Sequence, residues 1–117
     1  MYLADIVDKL RQELKSSNPD YELRLWGSIV IFHESNSVAF NGMFGVFQES
    51  RFVRNYPKAE VENGIAAHVT ELAGDLYSVK MSSVGFKIKS PRLSDSQMKE
   101  EVRSIQKYNF TSSSFSF

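Results

Sequence analysis

Two histidines, a scatter of serines and three lysines on one hairpin are the residues of this chain whose types invite a chemical reading. His33 and His68 are the only imidazoles. Metal binding or acid–base catalysis needs a carboxylate or second imidazole at fixed spacing, as in a helical HExxH pair. Neither histidine lies in an HExxH-type arrangement. His33 ends a strand-like run and His68 is flanked by the apolar stripe of a helix, so both read as structural or surface residues. No serine lies in a nucleophile-elbow sequence. Cysteine is absent, which removes disulfides, thiolate chemistry and Cys-ligated zinc and fits a reducing compartment. The acidic residues fall on predicted solvent faces. These eliminations predict a non-enzymatic protein with no cofactor and no metal.

Other residue groups bear on binding. Lys80, Lys87 and Lys89 share one face of a predicted hairpin, and with Arg51 and Arg54 they are the candidate contacts for an anionic partner. Fourteen basic residues balance fourteen acidic ones, which argues against a dedicated nucleic-acid binder, because phosphate contacts supply most of such a protein's affinity. A solvated hairpin face is the ordinary reading of these lysines. The aromatics are less ordinary. In a regular strand Phe40, Phe44 and Val46 share one parity and Phe47 takes the other, with Phe52 close by. Large apolar groups on both faces call for helices on both sides or for one face open to a partner. The chain ends Phe110-Thr-Ser-Ser-Ser-Phe115-Ser-Phe117, without charge, Gly or Pro. Alternation along that tail permits strand addition to a sheet edge. The candidate interaction residues are therefore Phe110, Phe115, Phe117, Phe44, Phe47 and Phe52.

The elements that must position these groups follow from periodicity. Leu3, Ile6, Val7, Leu10 and Leu14 form one helical stripe, stopped by Asn18-Pro19. Tyr21 to Trp26 alternates as a strand. Gly27-Ser28 reads as a two-residue turn, and Ile29 to Phe32 as its partner strand, apolar on both faces and so expected to be covered on both. Ser35-Asn36 makes the next turn. Asn41-Gly42 reads either as a hairpin turn or as a bulge within one strand from Val38 to Phe47, with Gly45 easing a bend. Arg51 to Pro57 reads as a loop. Pro57 suits the start of a second helix, striped by Val61, Ile65, Val69 and Leu72 and ended by Gly74. Gly64 within it suggests close packing on the sheet. Tyr77, Val79 and Met81, then Val84, Phe86 and Ile88, form the clearest hairpin. Ser90-Pro91 breaks it. Ser94 and Gln97 make a capping box, with Leu93 and Met98 as hydrophobic staple, opening a helix that carries Met98, Val102 and Ile105 and ends near Tyr108.

The order α-β-β-β(β)-α-β-β-α plus a C-terminal extended tail predicts an α+β fold, helices packed on a mostly antiparallel sheet. At 117 residues and 42% hydrophobic it predicts one domain, residues 1–109, with 110–117 as an aromatic, Ser-rich tail. The longest apolar run, Ile29 to Phe32, is far too short to cross a bilayer, and no signal-peptide pattern opens the chain. A cytoplasmic protein is expected, or a host-cytoplasmic or virion one if phage-encoded.

Asn41-Gly-Met-Phe-Gly-Val-Phe47 faintly resembles the aromatic RNA-binding strand of an RRM, but lacks the leading basic residue and is off by one in spacing. Helix, strands and helix, with Pro19-Asp-Tyr21-Glu22, resemble a double-stranded-RNA-binding domain; yet Lys58-Ala-Glu60-Val-Glu62 is mostly acidic where that family needs lysines. Neither identification holds. The element order also resembles type III secretion chaperones, small α+β dimers that bind extended effector segments, which implies an effector-binding role. The leading expectation is a small non-enzymatic protein that binds another protein or assembles with itself, of the kind encoded by phages and mobile elements: a virion component or an inhibitor of a host protein. A nucleic-acid-binding module using the basic hairpin face is the alternative from another class.

Overall fold

The computed structural model describes residues 1–13, 22–49, 51–55, 58–81, 85–108 and 112–115. Helix α1 (Leu3–Glu13), α2 (Lys58–Ala73) and α3 (Asp95–Tyr108) flank strands β1 (Glu22–Phe32), β2 (Ser37–Gln48), β3 (Arg51–Asn55), β4 (Ser78–Met81), β5 (Phe86–Lys89) and β6 (Ser112–Phe115). The fold is α+β, with one six-stranded sheet ordered β4-β5-β2-β1-β6 and β3 paired to β2 off that path. Every pairing is antiparallel except β1 with β6. Among the described residues no helix is long and apolar enough to cross a membrane.

β2 is the spine. One edge pairs with β1 along its whole length, from Phe32↔Ser37 to Glu22↔Phe47. The other edge is divided between β5, at Ala39 to Gly42, and β3, at Gly45 to Gln48. One expectation is corrected here, and one open alternative is decided. Gly27-Ser28 is no turn: it lies inside β1, with Gly27 opposite Gly42 and Ser28 opposite Asn41. Of the two readings of Asn41-Gly42, the continuous strand is the one observed. The register shift falls elsewhere, between Val46 and Phe47 on the β3 side. Gly27 is needed for close approach, since a Cβ there would strike the Asn41 carbonyl oxygen and stand 2.7 Å from Gly42 Cα. The turn of this long hairpin is His33 to Asn36, where Asn36 adopts φ 46°, a conformation Asn tolerates better than most residues.

The segment Arg51 to Asn55, expected as loop, is β3. Its two arginines and lack of alternation hide a strand that pairs along only part of β2.

The helices cover one face. Leu3, Ile6, Val7 and Leu10 of α1, Ile65 and Val69 of α2, and Met98 and Ile105 of α3 form a single cluster with Ile29, Ile31, Val38, Phe40, Phe86 and Ile88. Leu14 and the Asn18-Pro19 stop, like Pro57 and Val84, lie outside the described residues. The expected helical cover on both faces of the central strands is not found among the described residues. Val30 and Ala39, buried but outside that cluster, lie on the second face beside Phe32, whose ring sits 5.7 Å from both Lys87 Nζ and Lys89 Nζ. The two lysine side chains thus lie over this face at Phe32, their stems on the sheet and their charged ends outward.

Helix ends obey local rules. Gln97 N–H donates to Ser94 Oγ at 3.2 Å and Ser94 N–H to Gln97 Oε1 at 2.9 Å, the reciprocal capping box. Leu93 and Met98 are both buried, completing the staple. Gly74 takes φ +60° and donates to Thr70 O at 2.8 Å, closing α2. Gly64, however, marks no close contact: among the described residues nothing lies within 4 Å of where its Cβ would stand.

Candidate functional site

The ionisable groups that burial brings together are ones the periodicity did not single out. Glu101 of α3 is 2% exposed. It accepts a hydrogen bond from Leu3 N–H at 3.0 Å and another from the Tyr77 hydroxyl. Its carboxylate thus sits on the first turn of α1, where unpaired N–H groups and the helix dipole favour a negative charge. Asp5 completes the junction, accepting from Tyr2 N–H at 2.9 Å and from the Tyr108 hydroxyl at 2.7 Å. Burial pushes the Glu101 carboxyl above its ordinary range, against the Tyr77 and Leu3 hydrogen bonds, which act to lower it. Burial also raises the Tyr77 hydroxyl, helped by its bond to Glu101. At Asp5 burial again works upward, but the bonds from Tyr108 and Tyr2 and the Lys107 charge outweigh it, so the carboxyl lies below its ordinary value. Glu101, Tyr77, Asp5 and Tyr108 are each hydrogen-bonded within the network, which ties α3 to the start of α1 and to the residue before β4. The signal for it was legible: Glu101 stands on the apolar face of α3, three residues after Met98 and four before Ile105.

The histidines stay apart. His33 is exposed in the β1–β2 turn, and His68 is half-buried on α2, 4.0 Å from Glu71. Among the described residues no group of three or more His, Cys, Asp or Glu is placed to hold a metal ion.

The binding candidates divide between two places. Lys80, Lys87 and Lys89 do share the helix-free face, and Lys80 stands directly opposite Lys87. Like charges opposed across an antiparallel pair destabilise it. Arg51 and Arg54 pair with Gln48 and Val46, about 20 Å farther along β2, so the structure does not bring them to the lysines. Phe47 is half-buried and meets Trp26 edge-on, centroids 5.8 Å apart at 75°. Phe44 stands opposite Leu25 and Phe52 opposite Phe47 in the ladders. Trp26, not singled out by the sequence pattern, is 37% exposed. Between it and Lys87 runs an open groove of about 420 Å³, lined also by Ser28, Asn41, Met43 and the backbone of Gly27, Gly42 and Gly85.

The tail provides the other place. Ser112 to Phe115 pairs in parallel with Ile29 to Phe32 on the outer edge of β1; Phe110 and Phe117 lie outside the described residues. That edge continues through Glu22 to Ser28 with no strand partner among the described residues. Comparison with protein-family models, with curated proteins and with solved structures finds no match for this chain.

Proposed function

We propose that the protein is a non-enzymatic binding module that takes up an extended polypeptide segment, from another protein or a second copy of itself, as an added strand on the edge of β1. The observation that carries this reading is the seating of Ser112–Phe115 on Ile29–Phe32. An edge that accepts one extended segment offers the same main-chain donors and acceptors to another. Affinity in this mode comes from the backbone ladder, and selectivity from alternate side chains. The titrating cluster around Glu101 supports the non-enzymatic part, since it is engaged in holding helix ends together. The groove beside Trp26 has one titratable lining residue, Lys87, which is little for acid–base chemistry.

The test uses a chain ending at Asn109 and a fluorescent peptide of residues 110–117. Circular dichroism first establishes that the shortened chain is folded. The peptide then binds it saturably by anisotropy, and binds the full-length chain more weakly, because that chain's own β6 competes. A folded, shortened chain that ignores the peptide, together with a full-length chain that is monomeric by light scattering, would refute the reading.

A further inference from the structure

The zero net charge of the chain conceals a segregation. The six strands hold Arg24, Arg51, Arg54, Lys80, Lys87 and Lys89 but a single acidic residue, Glu22. Six of the fourteen basic residues and one of the fourteen acidic ones therefore lie in the sheet, which leaves eight basic and thirteen acidic residues elsewhere. Three of the six project from the helix-free face close together. Lys80 opposes Lys87, and the ammonium groups of Lys87 and Lys89 both stand 5.7 Å from the Phe32 ring centroid. Cation–π contact eases that crowding, but the positive charges remain concentrated on one patch. An anion there would offset their repulsion.

The same face carries aromatic surface. Trp26 and Lys87 form opposite walls of the groove, whose floor is glycine backbone and whose middle presents the exposed Asn41 amide. The register places Trp26 and Lys87 two strands and one rung pair apart, about 12 Å between Cα atoms, so a lysine stem spans much of the distance. A positive track beside an exposed, edge-supported indole is the arrangement that single-stranded nucleic acid requires: phosphates on the lysines, a base on the ring. Duplex does not suit it, because stacked bases do not reach Trp26. We infer that the helix-free face of the sheet is a binding site for single-stranded nucleic acid, with one base stacked on Trp26 and the backbone running toward Lys87, Lys80 and Lys89. Trp26 belongs to β1, but this site uses side chains on the sheet's face whereas strand addition uses main-chain groups of the edge, so its failure leaves the strand-addition reading intact.

Trp26 is the only tryptophan, so fluorescence excited selectively at the indole, beyond tyrosine absorption, reports on this site. The full-length chain is titrated with single-stranded oligonucleotides of about 12 nucleotides, following both tryptophan quenching and anisotropy of a labelled end. Three phosphate contacts on a single strand give a slope of log K against log salt near −2, about a 20-fold loss between roughly 50 and 200 mM salt. Lys87→Ala reduces that slope by about 0.7. Trp26→Ala weakens binding at least about fivefold; Trp26→Phe, which keeps an aromatic face in a folded protein, recovers part of it. No anisotropy change at low salt overturns the inference. So does binding that leaves the tryptophan unquenched, that equals binding to a duplex of the same length, or that is indifferent to Lys87→Ala.

Discussion

Glu101 offers the sharpest test of how this fold is held. Replacing it by Ala leaves Leu3 N–H and the Tyr77 hydroxyl buried with no acceptor from α3. Each such orphan costs about 1–3 kcal/mol. Against this, the variant no longer keeps a carboxylate out of water. The balance is a net loss of about 2–4 kcal/mol, a sizeable fraction of the roughly 5–15 kcal/mol by which folded domains are commonly stable. Its unfolding entropy makes 1 kcal/mol worth about 4 °C, so the melting temperature falls by about 8–16 °C. A drop under about 3 °C would show that the junction contributes little.

Glu101→Gln separates charge from shape. The native carboxyl titrates above its ordinary value of 4.5, because burial penalises the ionised form. A raised native value means that the folded chain binds the proton more tightly than the unfolded chain does. This contribution to stability is complete below 4.5 and is lost as pH climbs through the raised value. Glutamine does not titrate, so the stability advantage of the parent over Glu101→Gln shrinks from pH 4.5 upward. Each unit of elevation corresponds to about 1.4 kcal/mol. Urea unfolding of both proteins at a series of pH values measures the difference, in which titrations common to both cancel. A gap that widens with pH would mean that the Leu3 and Tyr77 bonds outweigh burial, and would refute the argument.

Three further substitutions probe local rules. Gly64→Ala, at a helical position with open space around its Cβ among the described residues, raises stability by up to about 1 kcal/mol; a loss in thermal unfolding would mean a neighbour occupies that space. Ser94→Ala removes one arm of the capping box and costs about 1 kcal/mol, whereas Ser94→Asp costs much less, by the same melt. Gly27→Ala drives a methyl into the Asn41 carbonyl and lowers the urea midpoint by the equivalent of about 1–3 kcal/mol; an unchanged midpoint would show that β1 and β2 part without penalty.

What was legible in the sequence was local. The capping box, the staple, the Gly74 stop and the stripes of α1 and α3 each depend on residues within a turn or two of one another, and each is present. The register of β4 and β5, with Val79 opposite Ile88, follows from simple alternation. Errors arose where a local signal has two uses. Gly27-Ser28 and Asn41-Gly42 each look like a turn when read alone. Paired across the sheet, they are two halves of one glycine contact, and that pairing is a fact about residues fifteen positions apart. The strand Arg51–Asn55 has consecutive apolar residues between arginines and so shows no period. The alternation of the tail permits strand addition, but its seating on β1, more than eighty residues away, rests on backbone bonds, and no side-chain pattern specifies that edge.

The charge distribution shows why element placement has to precede functional argument. Taken over the whole chain, fourteen against fourteen weighs against a polyanion partner. Taken over the elements, the acidic excess lies off the sheet, and part of it has structural work: Glu101 and Asp5 hold the start of α1, and Asp95 accepts from Asn36 Nδ2 at 2.9 Å. Those carboxylates are engaged at helix ends and do not neutralise Lys80, Lys87 and Lys89 on the helix-free face. Screening shortens the reach of a charge to about 8–10 Å at ordinary ionic strength, less than the 24 Å of the molecule's smallest dimension. A ligand approaching the helix-free face therefore responds chiefly to the lysines beside it, and the neutral total is the wrong quantity from which to judge what that face attracts.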